Sequence, residues 1–347
     1  MWIAVIVLSI LVLVPLVGFI VGALLSAPRY RGPVSDHFNG KAFVNPGRVK
    51  AKGGMDVLKW MITRKRGPWH EKHDETFGKH PLGHFKGGLR VTYINHATFL
   101  IQLDGVNILT DPVWSKRVSP FKWIGPKRMS PPGIQFGDLP RIHAVLLTHN
   151  HYDHLDIETM RMVFTAHHPQ IIAPLGLKKF LDQNYIRGCA ELDWWQEMQV
   201  NDLVIESLPA QHFSGRGLLD RDATLWCGYA VKSRAGNIYF AGDTGYNDKT
   251  FREIGARSGP FRVSILPIGA YKPEWFMSPI HVSPEDAVRI HLDVKSQNSI
   301  AMHFGTFPLA DEGEREPVED LRVALKKRGI DGQEFITLKP GEVRVFE

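Results

Sequence analysis

The segment Thr148-His149-Asn150-His151-Tyr152-Asp153-His154-Leu155-Asp156 crowds three histidines and two aspartates directly behind the apolar run at residues 142–147. That run reads as a core strand, so the cluster sits where ionisable groups are costly to bury. Burial without partners is severely destabilising, whereas divalent cations satisfy such groups together. His149 and His151 lie two apart, and an extended chain points alternate side chains the same way, so both imidazoles reach one ion. Asp153 and His154 follow, where Asp156 and its successors look like a helix start. The chain therefore turns there and aims a second, mixed oxygen and nitrogen pair beside the first, a spacing that suits two metal ions.

The rest of such a shell must come from distant strand ends. His212 follows the apolar run at 203–208, Asp243 the run at 238–241 and His303 the run at 299–302. A carboxylate bridges two cations through its two oxygens, and Asp243, in Ala-Gly-Asp-Thr-Gly, has glycines on either side that permit close backbone approach. The expected grouping is His149, His151 and His212 on one ion, Asp153, His154 and His303 on the other, with Asp243 shared. His70, His73, His80 and His84 sit among Lys, Gly and Pro and read as surface histidines. Cys189 and Cys227 set no metal spacing and no disulfide framework.

Three regions are expected. Residues 2–27 carry no charged side chain and are almost wholly aliphatic, long enough as a helix to cross a hydrocarbon layer. No Lys or Arg precedes them and Leu25-Ser26-Ala27 is a poor cleavage site, which favours an uncleaved single-pass anchor over a secretory signal. Residues 28–88 read as a basic linker that wraps the surface, and residues 89–347 as the hydrolytic domain. The formal charge of +6 is uneven, because residues 28–90 hold fourteen Lys and Arg against five acids. A basic stretch after a span places that end on the cytoplasmic side or on anionic headgroups, and nucleic acid is the weaker partner. Self-association is left open.

Beyond Leu89 the texture is short apolar runs broken by turns, with Asp104-Gly105 as a hairpin turn. Strands are expected at 91–94, 99–103, 107–109, 142–147, 203–208, 229–232, 238–241, 263–267, 299–302 and 343–346. Ser283-Pro284-Glu285-Asp286 marks a helix start. Strands first dominate and then alternate with helices, which implies an α/β fold of two mixed sheets with helices outside.

His149, His151, Asp153 and His154 match the HxHxDH signature, and with His212, Asp243 and His303 in the family's order the chain resembles the metallo-β-lactamase superfamily. That resemblance implies an αββα sandwich with the metals at one edge. A closer match spans most of residues 90–315. Residues 148–156, 241–246, 259–261, 267–271, 275–277, 281–291 and 303–307 are similar to the N-acylphosphatidylethanolamine-hydrolysing phospholipase D family. A donor set of imidazoles and carboxylates without thiolate suits two zinc ions, and hydrolysis follows because zinc has no redox chemistry of its own.

The implied function is a membrane-anchored phosphodiesterase acting on phospholipids, in which a hydroxide bridging the ions attacks phosphorus. His281 is expected to stabilise or protonate the leaving oxygen, or else to be a packing residue at a helix entry. Asp111, in Leu-Thr-Asp-Pro, is read as orienting a ligand imidazole through its other ring nitrogen, or else as a turn residue before Pro112. A zinc hydrolase of soluble sugar-phosphate lactones and a non-enzymatic metal-dependent interaction domain are the alternatives.

Overall fold

The computed structural model describes residues 2–73, 85 and 88–346, the side chains of residues 3–12 excepted. Two seven-stranded sheets lie face to face between helices. The first runs in the order β14 (Val343–Phe346), β1 (Leu89–Asn95), β2 (Thr98–Leu103), β3 (Val106–Thr110), β4 (Ala144–Leu146), β5 (Gln170–Pro174), β6 (Cys189–Leu192). The second runs β13 (Phe335–Ile336), β12 (Ser296–Met302), β11 (Phe261–Pro267), β10 (Asn237–Phe240), β9 (Gly228–Lys232), β8 (Leu203–Leu208), β7 (Glu197–Val200).

Each sheet opens as an antiparallel meander and continues as a parallel array, because the chain first returns through tight turns and later through helices. Asp104 and Gly105 both have positive φ, 49° and 78°, which matches the turn to the strand twist and sets Leu103 opposite Val106. From β3 to β6 the pairing is parallel, with α3 (Ile157–His167) and α4 (Leu177–Gln183) as crossovers. In the second sheet α5 (Asp248–Arg257), α6 (Glu274–Met277), α7 (Pro284–Asp293) and α8 (Glu316–Arg328) occur between the strands from β10 to β13. Helix α7 starts as its sequence dictates, with the Ser283 hydroxyl accepting from the Asp286 N–H and Pro284 in the first turn.

The largest apolar cluster lies between the sheets and joins Val91, Phe99 and Ile101 to Ile205, Tyr229 and Ile238. A second fills the space under α3 and α4, where Met160, Val163 and Leu181 meet Val145 and Ile171. Helices, two sheets and helices therefore stack as an αββα sandwich. The strand expected at 142–147 is shorter, Ala144–Leu146. β5, β6, β7 and β13 had no expectation, and β7 shows why: Glu-Met-Gln-Val is a largely exposed edge with no apolar alternation to read.

Residues 28–73 run along the sandwich as a strap. The Tyr30 N–H donates to the Ala223 carbonyl and the Phe43 N–H to the Asp222 carbonyl, both at 2.9 Å, while Phe38 and Phe43 pack on Leu225 and Trp226. The strap is not all linker. It contains α2 (Gly54–Thr63), whose Trp60 stacks on Phe276 at 5.0 Å. Its indole N–H donates to Asp311 at 3.0 Å.

The N-terminal stretch forms α1 (Trp2–Leu24), but the expectation that it spans a membrane finds no support in the structure. Among the described residues no helix is long and apolar enough to cross a membrane, and much of the expected span falls on residues 3–12, whose side chains lie outside the described residues. His80 and His84 also lie outside them. His70 makes a long contact with Glu314, 3.4 Å.

Candidate metal centre

Every residue of the expected cluster leaves the sandwich at one edge, within a few positions of a strand's carboxyl end. Asp111 follows β3, the segment 148–156 follows β4, His212 follows β8, Asp243 follows β10 and His303 follows β12. Both sheets therefore contribute. The approach is close enough that glycine is required at two points. Gly242 has φ +62°, and a Cβ there would lie 2.8 Å from Thr148 Cγ2. A Cβ on Gly269 would lie 2.0 Å from the His303 carbonyl oxygen.

Two nests of ligand atoms result. His149 Nε2 stands 2.8 Å and His212 Nε2 3.2 Å from His151 Nδ1, and the three offer atoms within 4.8 Å of one another. In the second nest Asp153 Oδ2 stands 3.4 Å from both His154 Nε2 and His303 Nε2. Asp243 Oδ2 lies between them, 3.1 Å from His303 Nε2, 3.2 Å from His154 Nε2 and 3.7 Å from His212 Nε2. His281 joins from the loop before α7, its Nδ1 3.8 Å from the same oxygen.

The outer nitrogens of His154 and His212 are held. His154 Nδ1 meets Asp111 Oδ2 at 2.7 Å. The other Asp111 oxygen accepts the Thr148 N–H at 2.8 Å, and Oδ2 also accepts the Thr148 hydroxyl at 2.6 Å. His212 Nδ1 donates to the Ile280 carbonyl at 2.8 Å, which leaves Nε2 as a bare lone pair aimed inward. Such outer partners fix tautomer and ring orientation in metal sites.

Electrostatics separate the groups. Burial, reinforced by neighbouring histidines, drives His149 well below its ordinary value, and burial pushes His151, His212 and His281 down to about 3. These rings are neutral near pH 7. Burial opposes charge on His303 too, but Asp243 and Asp153 outweigh it and lift the ring to about 9. His154 is raised well above its ordinary value against burial by Asp243, Asp153 and Asp111. Asp243 and Asp153 would be raised by burial, yet His154 and its neighbours hold both well below the usual carboxylate range.

The residues fit a divalent cation on their own evidence. Asp243 Oδ1, His154 Nε2, His281 Nδ1 and His303 Nε2 are buried with no hydrogen-bond partner, although buried polar atoms ordinarily have one. They converge on shared space with ionised carboxylates and the neutral imidazoles of His149, His151, His212 and His281, and a cation there would replace the protons that the carboxylates hold on His154 and His303.

One residue of this site escaped sequence reasoning. His96, one residue beyond β1, belongs to the second nest with Asp153, His154 and His303. Its Nε2 stands 3.0 Å from Asp153 Oδ2, and its carbonyl accepts the His303 N–H at 2.9 Å. The signal was present, since Ile-Asn-His places a histidine behind an apolar strand just as at His212 and His303. Arg216, close behind His212, supports the site from outside. Its Nη1 donates to the carbonyls of Asn150 and Leu155, both at 2.8 Å, pinning the loop that carries His151 and Asp153.

The family model described as beta-lactamase superfamily domain matches residues 106–304. Among solved structures, Igni18, a metallo hydrolase from Ignicoccus hospitalis, superposes with a TM-score of 0.57 at 21% identity, covering 75% of this chain and 99% of that one. The fold and the match define a metal-dependent hydrolase of the metallo-β-lactamase superfamily. An N-acyl-phosphatidylethanolamine-hydrolyzing phospholipase D from Caenorhabditis elegans is 37% identical over 330 residues, 88% of this chain and 92% of the relative. The mitochondrial enzyme of the same description from Saccharomyces cerevisiae is 36% identical over 245 residues, 69% of this chain and 52% of that protein. The chain belongs to this phospholipase D family within the superfamily.

Proposed function

We propose that this chain is a zinc phosphodiesterase that hydrolyses N-acylphosphatidylethanolamine-like phospholipids on the headgroup side of phosphorus. The observation that carries the reading is the double nest of ligand atoms joined by Asp243 Oδ2, in a chain 37% identical to such a phospholipase over 88% of its length. His149, His151 and His212 would hold one ion, Asp153, His154 and His303 the other, with Asp243 between them. A donor set of nitrogen and oxygen without thiolate suits zinc. A zinc pair there supplies Lewis acidity for the phosphoryl oxygens and activates water at neutral pH.

The chain's own groups do the rest. Asp111 keeps the His154 proton on Nδ1, and the Ile280 carbonyl keeps the His212 proton on Nδ1, so each presents Nε2 inward. His281 is largely buried and neutral, and donates a hydrogen bond to the substrate's phosphoryl or leaving oxygen. Residues 89–347 form the hydrolytic unit. Helix α1 attaches it to the membrane in which the substrate lies; the support is a helix of 23 residues without a charged side chain, about 34 Å long at 1.5 Å per residue. The basic strap behind it favours the cytoplasmic face.

The test is to offer zinc-loaded protein N-acylated phospholipids, plain phospholipids and soluble lactones, and to weigh the products. Release of the N-acylethanolamine is expected, and cleavage of lactones alone would overturn the assignment. His281→Ala with full metal content should lose roughly 10²- to 10³-fold in kcat, as for removal of one preorganised donor; unchanged turnover would remove it from the mechanism.

A further inference from the structure

Asn45 belongs to the strap, yet its side chain closes on a metal-site residue 167 positions away. Its Oδ1 accepts the His212 N–H and its Nδ2 donates to the His212 carbonyl, both at 2.8 Å. The rest of the amide is also engaged, since Nδ2 donates to the Val49 carbonyl and Oδ1 accepts the Trp226 indole N–H, both at 3.0 Å. A primary amide offers two donors and two acceptor lone pairs. All four are used in a residue only 7% exposed. Asn45 also stands at the N-cap of the short 3-10 turn Pro46–Arg48, where an asparagine ordinarily accepts from a following N–H, and it makes no such bond. Its acceptor is given over to His212 and Trp226 instead.

His212 needs such a partner because the sheet no longer supplies one. The ladder between β8 and β9 ends at Leu208 opposite Gly228, so the peptide groups of the buried His212 lie past the last rung. The Asn45 amide takes the place of a neighbouring strand there, pairing with the N–H and the carbonyl of one residue at once. It grips one end of His212, and the Ile280 carbonyl grips the other by accepting from the ring Nδ1 at 2.8 Å. With backbone and ring both pinned, Nε2 is left pointing at His151 Nδ1, 3.2 Å away, and Asp243 Oδ2, 3.7 Å away. Fastening the strap does not require this contact. Main-chain bonds from Tyr30 and Phe43 and the packing of Phe38 and Phe43 on Leu225 and Trp226 already hold it.

We infer that Asn45 is a positioning residue of the metal centre, through which the strap sets His212 for the ion that it shares with His149 and His151. The inference rests on the binuclear reading above and deepens it. Residues 89–347 contribute every ligand, but the geometry of one of the two sites depends on a side chain that lies outside them.

Cobalt titrated into the metal-free full chain tests this, because its visible spectrum reports ligand number and geometry. Asn45→Leu removes all four hydrogen bonds at similar volume, and Asn45→Ala removes them with less bulk. In both, one cobalt-binding step should weaken about tenfold or more, as when an outer partner of a ligand is lost, while the other step holds. The spectrum of the half-loaded variants should match that of His212→Ala and differ from that of His303→Ala. Phe43→Leu loosens the strap's packing on Trp226 without touching the clamp and should leave both steps unchanged. Amide exchange gives a second reading without metal, and the His212 N–H should exchange at least tenfold faster in Asn45→Leu than in Phe43→Leu. Two intact cobalt steps in the Asn45 variants overturn the inference. So does equal weakening of both steps, or the same weakening in Phe43→Leu, which would make Asn45 a fastener of the strap only. The expected cobalt pattern in a zinc-loaded wild-type protein that cleaves no N-acylated phospholipid defeats the substrate assignment alone.

Discussion

Asp111→Asn changes one atom of a fully buried carboxylate and is the sharpest probe of the centre. In the native arrangement Oδ1 accepts the Thr148 N–H at 2.8 Å, while Oδ2 accepts the Thr148 hydroxyl at 2.6 Å and faces His154 Nδ1 at 2.7 Å. An asparagine satisfies Thr148 only with its oxygen on the backbone N–H, which turns its NH₂ toward His154 Nδ1. A neutral His154 must then accept on Nδ1 and carry its proton on Nε2, the nitrogen that faces Asp243 and Asp153. The outer contact survives, so unfolding free energy should fall by less than about 2 kcal/mol, the scale of one altered hydrogen bond. Metal affinity should fall about 10- to 100-fold. Asp111→Ala makes the contrast, because it strands the Thr148 N–H and the His154 N–H without acceptors. Unmade buried partners at roughly 1–3 kcal/mol each put its loss near 3–5 kcal/mol, that of breaking a buried ionic pair. Urea unfolding of metal-free protein and competitive metal titration separate the two quantities. Wild-type metal affinity in Asp111→Asn would refute the tautomer argument.

Three further outcomes are expected. His96→Gln, whose amide reaches where Nε2 stands, should keep much of the metal affinity that His96→Ala loses, about tenfold or more, measured by titrating cobalt into each; equal loss in both variants would show that the hydrogen bond to Asp153 is immaterial. Gly242→Ala must place a Cβ against Thr148 at φ +62° and should lose roughly 1–3 kcal/mol in urea unfolding. Burial lowers the His37 ring's affinity for its proton, but hydrogen bonds to Asp193 at 2.7 Å and Asp36 at 2.6 Å outweigh it and raise the ring above 6.5. A raised value means that this stabilisation is fully present below pH 6.5 and is lost as pH rises through the folded-state value. Thermal unfolding of Asp193→Asn should therefore show a shallower decline across that window than the native chain.

The site was more legible than the fold around it. His149, His151, Asp153 and His154 announce themselves because no other arrangement makes so many ionisable groups bearable behind a core strand. His212, Asp243 and His303 follow once each is seen at the end of an apolar run, and the structure brings all seven together with His281 and Asp111. His96 obeys the same rule but sits in the short turn between β1 and β2, and it meets Asp153 only where that turn lies beside the loop after β4. Helix α2 was hidden for a different reason. Its inward face is just Val57 and Trp60, too few apolar positions to register as a core stripe, and its remaining hydrophobic residues face outward. The edge strands β6 and β7 were unreadable because each has only four residues and neither shows a consistently apolar face.

That the first sheet supplies the 148–156 cluster and Asp111, while the second supplies His212, Asp243 and His303, makes the centre a clasp across the sandwich. Cations seated there bind neither half by itself, so their uptake favours only chains whose halves have docked in the right register. Metal supply would then act as an inspector of assembly as well as a supplier of reactivity, and stripping the ions should loosen the seam between the sheets before it loosens either sheet.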